Sequence, residues 1–295
     1  MAIKRKTSEK VFDCFNIVFL SLLSLICIYP MLYVIFASVS EPNRLISHQG
    51  VLLAPLGFTL KGYSLVLDNP SIKTGYINTI IYVVLGTFIS LVLTTLGAYA
   101  LSRKRVYFAK PIMILIIITM FFQGGLVPFY LLMKDMHMLN TIWAIVLPSA
   151  ISSYNLIIMR TSFAEIPDSL EESAKIDGAN DFTILIKIIL PVSKAIMAVM
   201  LLFYAVGMWN SWFNASILLR DKNLYPLQLV LREILISGDK NSMVKMASLG
   251  SYGESAYRTL VQYSTIVIAT VPILCVYPFL QKYFVKGVMI GSIKG

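Results

Sequence analysis

Charge is scarce in this chain of 295 residues. Only 14 % of positions are Asp, Glu, Lys or Arg, against roughly 25 % in a soluble domain, whereas 57 % are hydrophobic and mean hydropathy is +0.76. That balance excludes an ordinary soluble globule and identifies a polytopic, all-α membrane protein. Cysteine is limited to Cys14, Cys27 and Cys275, which fall in apolar runs without CxxC spacing and are expected to be small buried hydrophobes. The two histidines, His48 and His137, stand far apart without Cys or Asp partners at ligand spacing, so no metal site is expected. There is no G-x-x-x-x-G-K-S/T phosphate cradle, no HExxH and no nucleophile elbow. The chain is therefore expected to be no enzyme and to hold no cofactor itself.

Two further absences narrow the class. No internal repeat argues for an inverted-repeat secondary carrier. An ion-coupled carrier or a membrane-embedded enzyme needs ionisable groups inside its spans, and apart from Asp13 near one end the apolar runs hold almost none. The formal charge of +10 is spread over many short loops, which does not make a nucleic-acid patch.

What the sequence does contain is six apolar runs, at about 11–38, 75–101, 111–133, 141–161, 191–219 and 260–284. A basic tail, residues 1–10, precedes the first. That run is about twice the length of a signal-peptide core, so it reads as a retained helix. Gly124, Gly125 and Pro128 predict a kink or a locally open helix near the far end of the third run, and Pro272 and Pro278 lie in the sixth. With six spans both termini share a side. The tails, the 103–110 loop and the 160–194 segment carry 15 of the 25 Lys and Arg, so the positive-inside rule places them in the cytoplasm. The 218–258 connection is amphipathic near Leu227–Leu235, which suits a helix on the membrane surface.

The exception to the shortage of acid is residues 164–191, AEIPDSLEESAKIDGANDFTILIKIILP. Glu165, Asp168, Glu171, Glu172, Asp177 and Asp181 fall there within seventeen residues of a chain that has 15 acids in all. Such a segment cannot lie in hydrocarbon. Asp168 with Glu171, or Ser169 with Glu172, has capping-box spacing, and Gly178 can end the helix in the left-handed conformation. Asn180 or Asp181 can cap a second helix with Phe182, Leu185, Ile186 and Ile189 on its apolar face, broken or kinked at Pro191.

This segment resembles the EAA loop of binding-protein-dependent ABC importer permeases: Glu172-Ser173-Ala174, three residues, Gly178, nine residues, Ile188, one residue, Leu190-Pro191. Ser173 stands where alanine is usual. The stretches GGLVPFYLLMKDMHMLNTIWAIVLPSA, NLIIMRTSF, GMWNSWFNA and YPLQLVLREIL are similar to the carbohydrate branch of that family, to the maltose-type second permease and to permeases for complex or acidic oligosaccharides. The resemblance implies the MetI-like type I importer fold, with residues 11–295 as one six-helix permease domain. It implies a second homologous permease, two cytoplasmic ATP-binding subunits that hold ATP and Mg, an extracellular solute-binding protein and a sugar substrate. It further implies a coupling helix that enters the ATPase through Glu171, Glu172, Ser173, Ala174, Asp177, Gly178 and Ala179, with Leu190 and Pro191 closing the motif. Helix capping alone would also account for Glu172. Tyr204, Trp209, Asn210, Trp212 and Asn214 suit sugar binding, since rings stack on pyranose faces and carboxamides bond hydroxyls. The same residues suit an aromatic belt at the outer interface.

Overall fold

The computed structural model describes residues 7–122, 124–237 and 251–292, and among these it is helical throughout, with no strand. The described chain groups into two compact units, Met1–Asn69 with Glu233–Thr270 and Pro70–Arg232 with Val271–Gly295. Part of the basic tail and Lys240 and Lys245 of the 218–258 connection lie outside the described residues.

The first unit carries α1 (Thr7–Ser38), α2 (Pro42–Ser47) and α3 (Lys61–Leu67). Along its most apolar stretch α1 buries nothing against the chain, as befits a helix surrounded by lipid or partner. Cys14 and Cys27 are accordingly exposed, as is Cys275, against the expectation of burial. The unit closes at the C-terminal end of α1, where Ala37, Leu45 and Leu52 pack with Tyr33, Phe36 and Tyr263. Ser264 Oγ donates to the Ser38 carbonyl at 3.3 Å. Gly62 faces this contact, and a Cβ there would stand 2.2 Å from Ser264 Oγ.

The second unit is built on α4 (Pro70–Ser102), 33 residues long. Its buried stripe is Gly75, Thr79, Tyr82, Gly86, Ser90, Thr94 and Ala98, mostly small residues at helical spacing, which lets other helices approach closely without an apolar driving force. Against it pack α8 (Ser153–Ala164) and α12 (Lys194–Trp209). A Cβ on Gly86 would meet Met208 Cε at 2.6 Å, and one on Gly75 the Leu227 Cα at 3.2 Å.

Only Ser8–Ser38, Pro70–Ser102 and Ala256–Cys275 are unbroken helices long and apolar enough to cross a membrane among the described residues. The third run, expected as one span, divides into α5 (Ala109–Phe121) and α6 (Leu126–Asp135) around Gly125, whose φ is +83°. The fourth, 141–161, divides into α7 (Trp143–Val146) and α8. Pro148 lacks the donor a continuous helix needs, and Ser152 caps α8 by accepting from the Asn155 N–H at 3.3 Å. Ahead of the fifth, α10 (Asp181–Ile184) passes through a π-helical stretch, Leu185–Ile189, into α11 (Leu190–Val192). The missing N–H of Pro191 accounts for this irregularity, since Lys187 loses its regular partner. An 88° bend then leads into α12, which stops at Trp209 before α13 (Phe213–Leu218). α14 (Leu227–Ser237) does not present its apolar face to a membrane surface, because Leu227, Leu229, Val230, Leu231 and Ile234 are buried. α15 (Ser251–Ser292) runs through Pro272 and Pro278 as one helix.

Candidate functional site

The acidic segment forms two helices around a glycine turn. α9 (Asp168–Ile176) ends in a Schellman arrangement: Gly178 N–H donates to the Lys175 carbonyl at 3.0 Å and Ala179 N–H to the Ala174 carbonyl at 2.9 Å, with Gly178 at φ +80°. A side chain at Gly178 would meet nothing within 4 Å, so the turn stands free of the chain. Asn180 caps α10, accepting from Thr183 N–H at 2.8 Å, which decides between it and Asp181. Glu172, Ser173, Asp177 and Gly178 are exposed, Ala179 and Leu190 half-buried, Pro191 exposed. Ser173 Oγ bonds back to the Ser169 carbonyl at 2.9 Å, so its hydroxyl is satisfied inside its own helix. The expected apolar face of the second helix is corrected: Phe182 and Ile186 are 67 % and 60 % exposed, and the buried side is Ile184, Leu185 and Ile189. Together with Ile176 at 87 %, these exposed side chains line the helices flanking the turn.

The expected capping box does not form. The N-cap of α9 is Pro167, which has no side-chain acceptor, and the carboxylates pair with the three cations that follow α4. Glu171 is 6 % exposed; one of its oxygens lies 2.9 Å from Arg103 Nη1, and the other lies 3.0 Å from Lys175 Nζ and 3.3 Å from Arg105 Nη2. Arg103, equally buried, also donates to the Phe163 carbonyl at 3.2 Å and stacks 4.9 Å above the Tyr99 ring. Arg105 pairs with Asp181, and this hydrogen bond raises its pKa. Lys104 holds Asp168 at 2.9 Å on the open surface and pushes the carboxyl below its ordinary range. An exposed pair of that kind contributes little, whereas losing one partner of a buried pair costs about 3–5 kcal/mol. α9 buries only Glu171 and Ala174, and a methyl group contributes about 0.8 kcal/mol, so apolar packing fixes this helix weakly and the ion pairs set its register on the chain. Glu171 and Ala174 therefore face the chain, unlike their neighbours in the motif. Arg103 and Arg105 were not among the expected site residues, though the signal was legible as an Arg-Lys-Arg run closing an apolar span.

The second feature is a cavity of about 430 Å³ in the same unit. One wall is the break between α7 and α8, with Ser149, Ile151, Ser152 and Asn155. The other is the end of α12 and the break that follows, with Phe203, Tyr204, Gly207, Met208, Asn210, Ser211, Trp212, Phe213 and Asn214. Irregular backbone amid apolar helices is tolerated where it lines a cavity, because its amides and carbonyls otherwise have no partner. Tyr204 ties the walls together: its hydroxyl lies 2.6 Å from Thr94 Oγ1 and accepts from Ser152 N–H at 3.2 Å. None of the lining residues is charged. Arg232 stacks its guanidinium 3.9 Å from the Trp212 ring centroid. Tyr204, Asn210, Trp212 and Asn214 thus share one cavity. Trp209 is a correction: it does not line the cavity with Trp212, because α12 ends at Trp209 and its ring meets Tyr76 edge-on at 6.2 Å. Ser149, Ser152 and Asn155 went unnoticed in the sequence, where Leu-Pro-Ser followed by Ser-Ser marks the polar break.

Apolar helices that bend and break around an uncharged cavity, with a charged helical turn held at the end of α4, are the arrangement of a membrane-embedded permease. The chain belongs to the family of binding-protein-dependent transport system inner membrane components, which matches it over residues 1–290. It is 40 % identical over 289 residues to the polygalacturonan/rhamnogalacturonan transport system permease protein YtcP of Bacillus subtilis, covering 97 % of this chain and 99 % of that one. Protein LplC of the same organism is 40 % identical over 288 residues, covering 97 % and 96 %. Among solved structures, a bacterial ABC transporter involved in the import of the acidic polysaccharide alginate matches with a TM-score of 0.89 at 34 % identity, covering 96 % of this chain and all of that chain.

Proposed function

We propose that this chain is one permease subunit of an ATP-driven importer of oligosaccharides, in particular uronate-containing ones, and that it forms half of the translocation path. It would pair with a second homologous permease, two cytoplasmic ATP-binding subunits that hold ATP and Mg, and an extracellular solute-binding protein. In this reading the chain is multi-pass in the bacterial plasma membrane with both termini cytoplasmic, and no cofactor resides in it. The single observation that carries the reading is the cavity walled by two helix breaks. Its aromatic rings suit the CH faces of a pyranose, and Asn155, Asn210, Asn214 and the serines suit its hydroxyls.

The relatives support this substrate class: one is named for polygalacturonan and rhamnogalacturonan, and a matched structure for alginate. The neutral lining means that this wall grips hydroxyls and ring faces, so neutralisation of carboxylates falls to other parts of the complex. The free Gly178 turn, with exposed Ile176, Phe182 and Ile186 around it, is the surface offered to the ATPase. Closure of the ATPase pair would displace α9 and switch the bundle between inward- and outward-open. Uptake of digalacturonate by the complex reconstituted with its binding protein tests this. ATP-dependent accumulation that falls in Trp212→Ala is expected; accumulation without any ATPase present refutes the assignment.

A further inference from the structure

Glu171 stands inside the coupling segment, where the resemblance implies contact with the ATPase, yet its carboxylate is buried against Arg103 of this chain. We infer that Glu171 and Arg103 are positioning residues that fasten α9 to the end of α4, so that the coupling helix and the 33-residue α4 move as one body. This inference rests on the reading of 164–191 as the ATPase-coupling loop.

The geometry is specific. Arg103 directly follows α4 and reaches three elements at once: Glu171 on α9 at 2.9 Å, the Phe163 carbonyl near the end of α8 at 3.2 Å, and the Tyr99 ring of α4 at 4.9 Å. Arg160 Nε on α8 adds a return contact to the Leu101 carbonyl at 3.2 Å. Glu171 is in turn held by Lys175 and Arg105, and Arg105 bridges onward to Asp181 of α10. The helix buries only Ala174 besides Glu171, so apolar packing alone leaves α9 free to slide over its support. An ion pair shielded from water resists that sliding directionally, because an ångström-scale displacement leaves two charges without solvent and without each other. Thr94 and Tyr204 then connect the same α4 to the cavity wall. A push on α9 therefore reaches the cavity through α4 instead of being absorbed in the 165–167 and 177–180 loops.

The test uses the full complex in nanodiscs with spin labels at Ser169→Cys on α9 and Val84→Cys on α4, in a background lacking Cys14, Cys27 and Cys275. Distance distributions are recorded without nucleotide and after ATP–vanadate trapping. With Glu171 and Arg103 intact, the distribution keeps its width and centre in both states. In Glu171→Gln it broadens roughly twofold on trapping, and in Glu172→Gln, one residue away but exposed, it does not. An unbroadened Glu171→Gln, or equal broadening in Glu172→Gln, overturns the inference. Should Glu171→Gln fail to insert, Arg103→Met combined with Glu171→Met removes both charges without stranding either; a distribution that stays narrow there also overturns it. Gly178→Trp separates the two levels. If it keeps its ATPase, the coupling reading fails and this inference with it; if it sheds the ATPase while Glu171→Gln stays narrow, the inference alone fails.

Discussion

Replacing Gly178 separates backbone strain from partner contact. At φ +80° any L residue is strained, and the left-handed region costs roughly 1–2 kcal/mol for a residue with a Cβ, less for Asn. Beyond that strain the chain itself imposes nothing, because a Cβ at Gly178 meets no atom within 4 Å. Gly178→Ala and Gly178→Trp therefore share one intrachain cost and differ only in volume presented outward. If the turn enters a cleft of the ATPase, overfilling that cleft costs a further 1–3 kcal/mol or so, a difference between the two variants of roughly 5- to 150-fold in association. The assay is recovery of ATPase per mole of tagged chain purified from its own membranes, with thermal unfolding in detergent as control. Expected are a mild loss in Gly178→Asn, a larger one in Gly178→Ala and near-complete loss in Gly178→Trp, while Gly178→Ala and Gly178→Trp melt together. Equal recovery in Ala and Trp variants refutes contact at the turn and leaves strain as the whole effect.

The glycines that touch the chain should behave in the opposite way. Gly75→Ala, which presses on the Leu227 backbone and threatens the 2.8 Å bond from Leu227 N–H to Thr79 Oγ1, should lower the melting temperature clearly more than Gly86→Ala, whose obstacle is the flexible end of Met208. Thr94→Val or Tyr204→Phe alone should cost about 1–3 kcal/mol by stranding a buried hydroxyl or amide partner, whereas the double variant should be less than additive in a detergent unfolding cycle. Trp212→Ala should raise the half-saturation of digalacturonate uptake, and Trp209→Ala, whose ring packs on Tyr76, should change melting but not half-saturation. Lys104→Gln should leave ATPase recovery close to that of the parent chain, because the Lys104–Asp168 pair is exposed and screened by solvent.

The glycine turn was the most legible part of the site, because it is local. Three residues of geometry at 177–179 are dictated by who can adopt a positive φ, and Asp177-Gly178-Ala179 announces this without reference to anything distant. Spacing alone offers Glu171 as half of a capping box for the same reason: it sees partners three residues away. Its actual partner is Arg103, 68 positions earlier, and no local rule reaches that far. The fourth apolar run shows the same limit. Hydropathy registers 141–161 as a span, yet Pro148 and the serines after it open the helix because Tyr204 and Ser90, from two other helices, are there to meet the freed groups: Tyr204 accepts from Ser152 N–H and Ser90 donates to the Ser149 carbonyl.

Composition and periodicity alone determined that the chain lives in a membrane, that its helices are apolar on more than one face, and that one acidic helical turn lies outside the lipid. These follow from transfer free energies and backbone sterics, which each residue carries with it. Which side of α9 faces the chain, which tryptophan lines the cavity and which charge is buried were decided only by the tertiary structure. Each depends on groups brought within a few ångströms of each other from distant parts of the chain, and the strength of a buried ion pair or a shared hydroxyl exists only once that approach has excluded water.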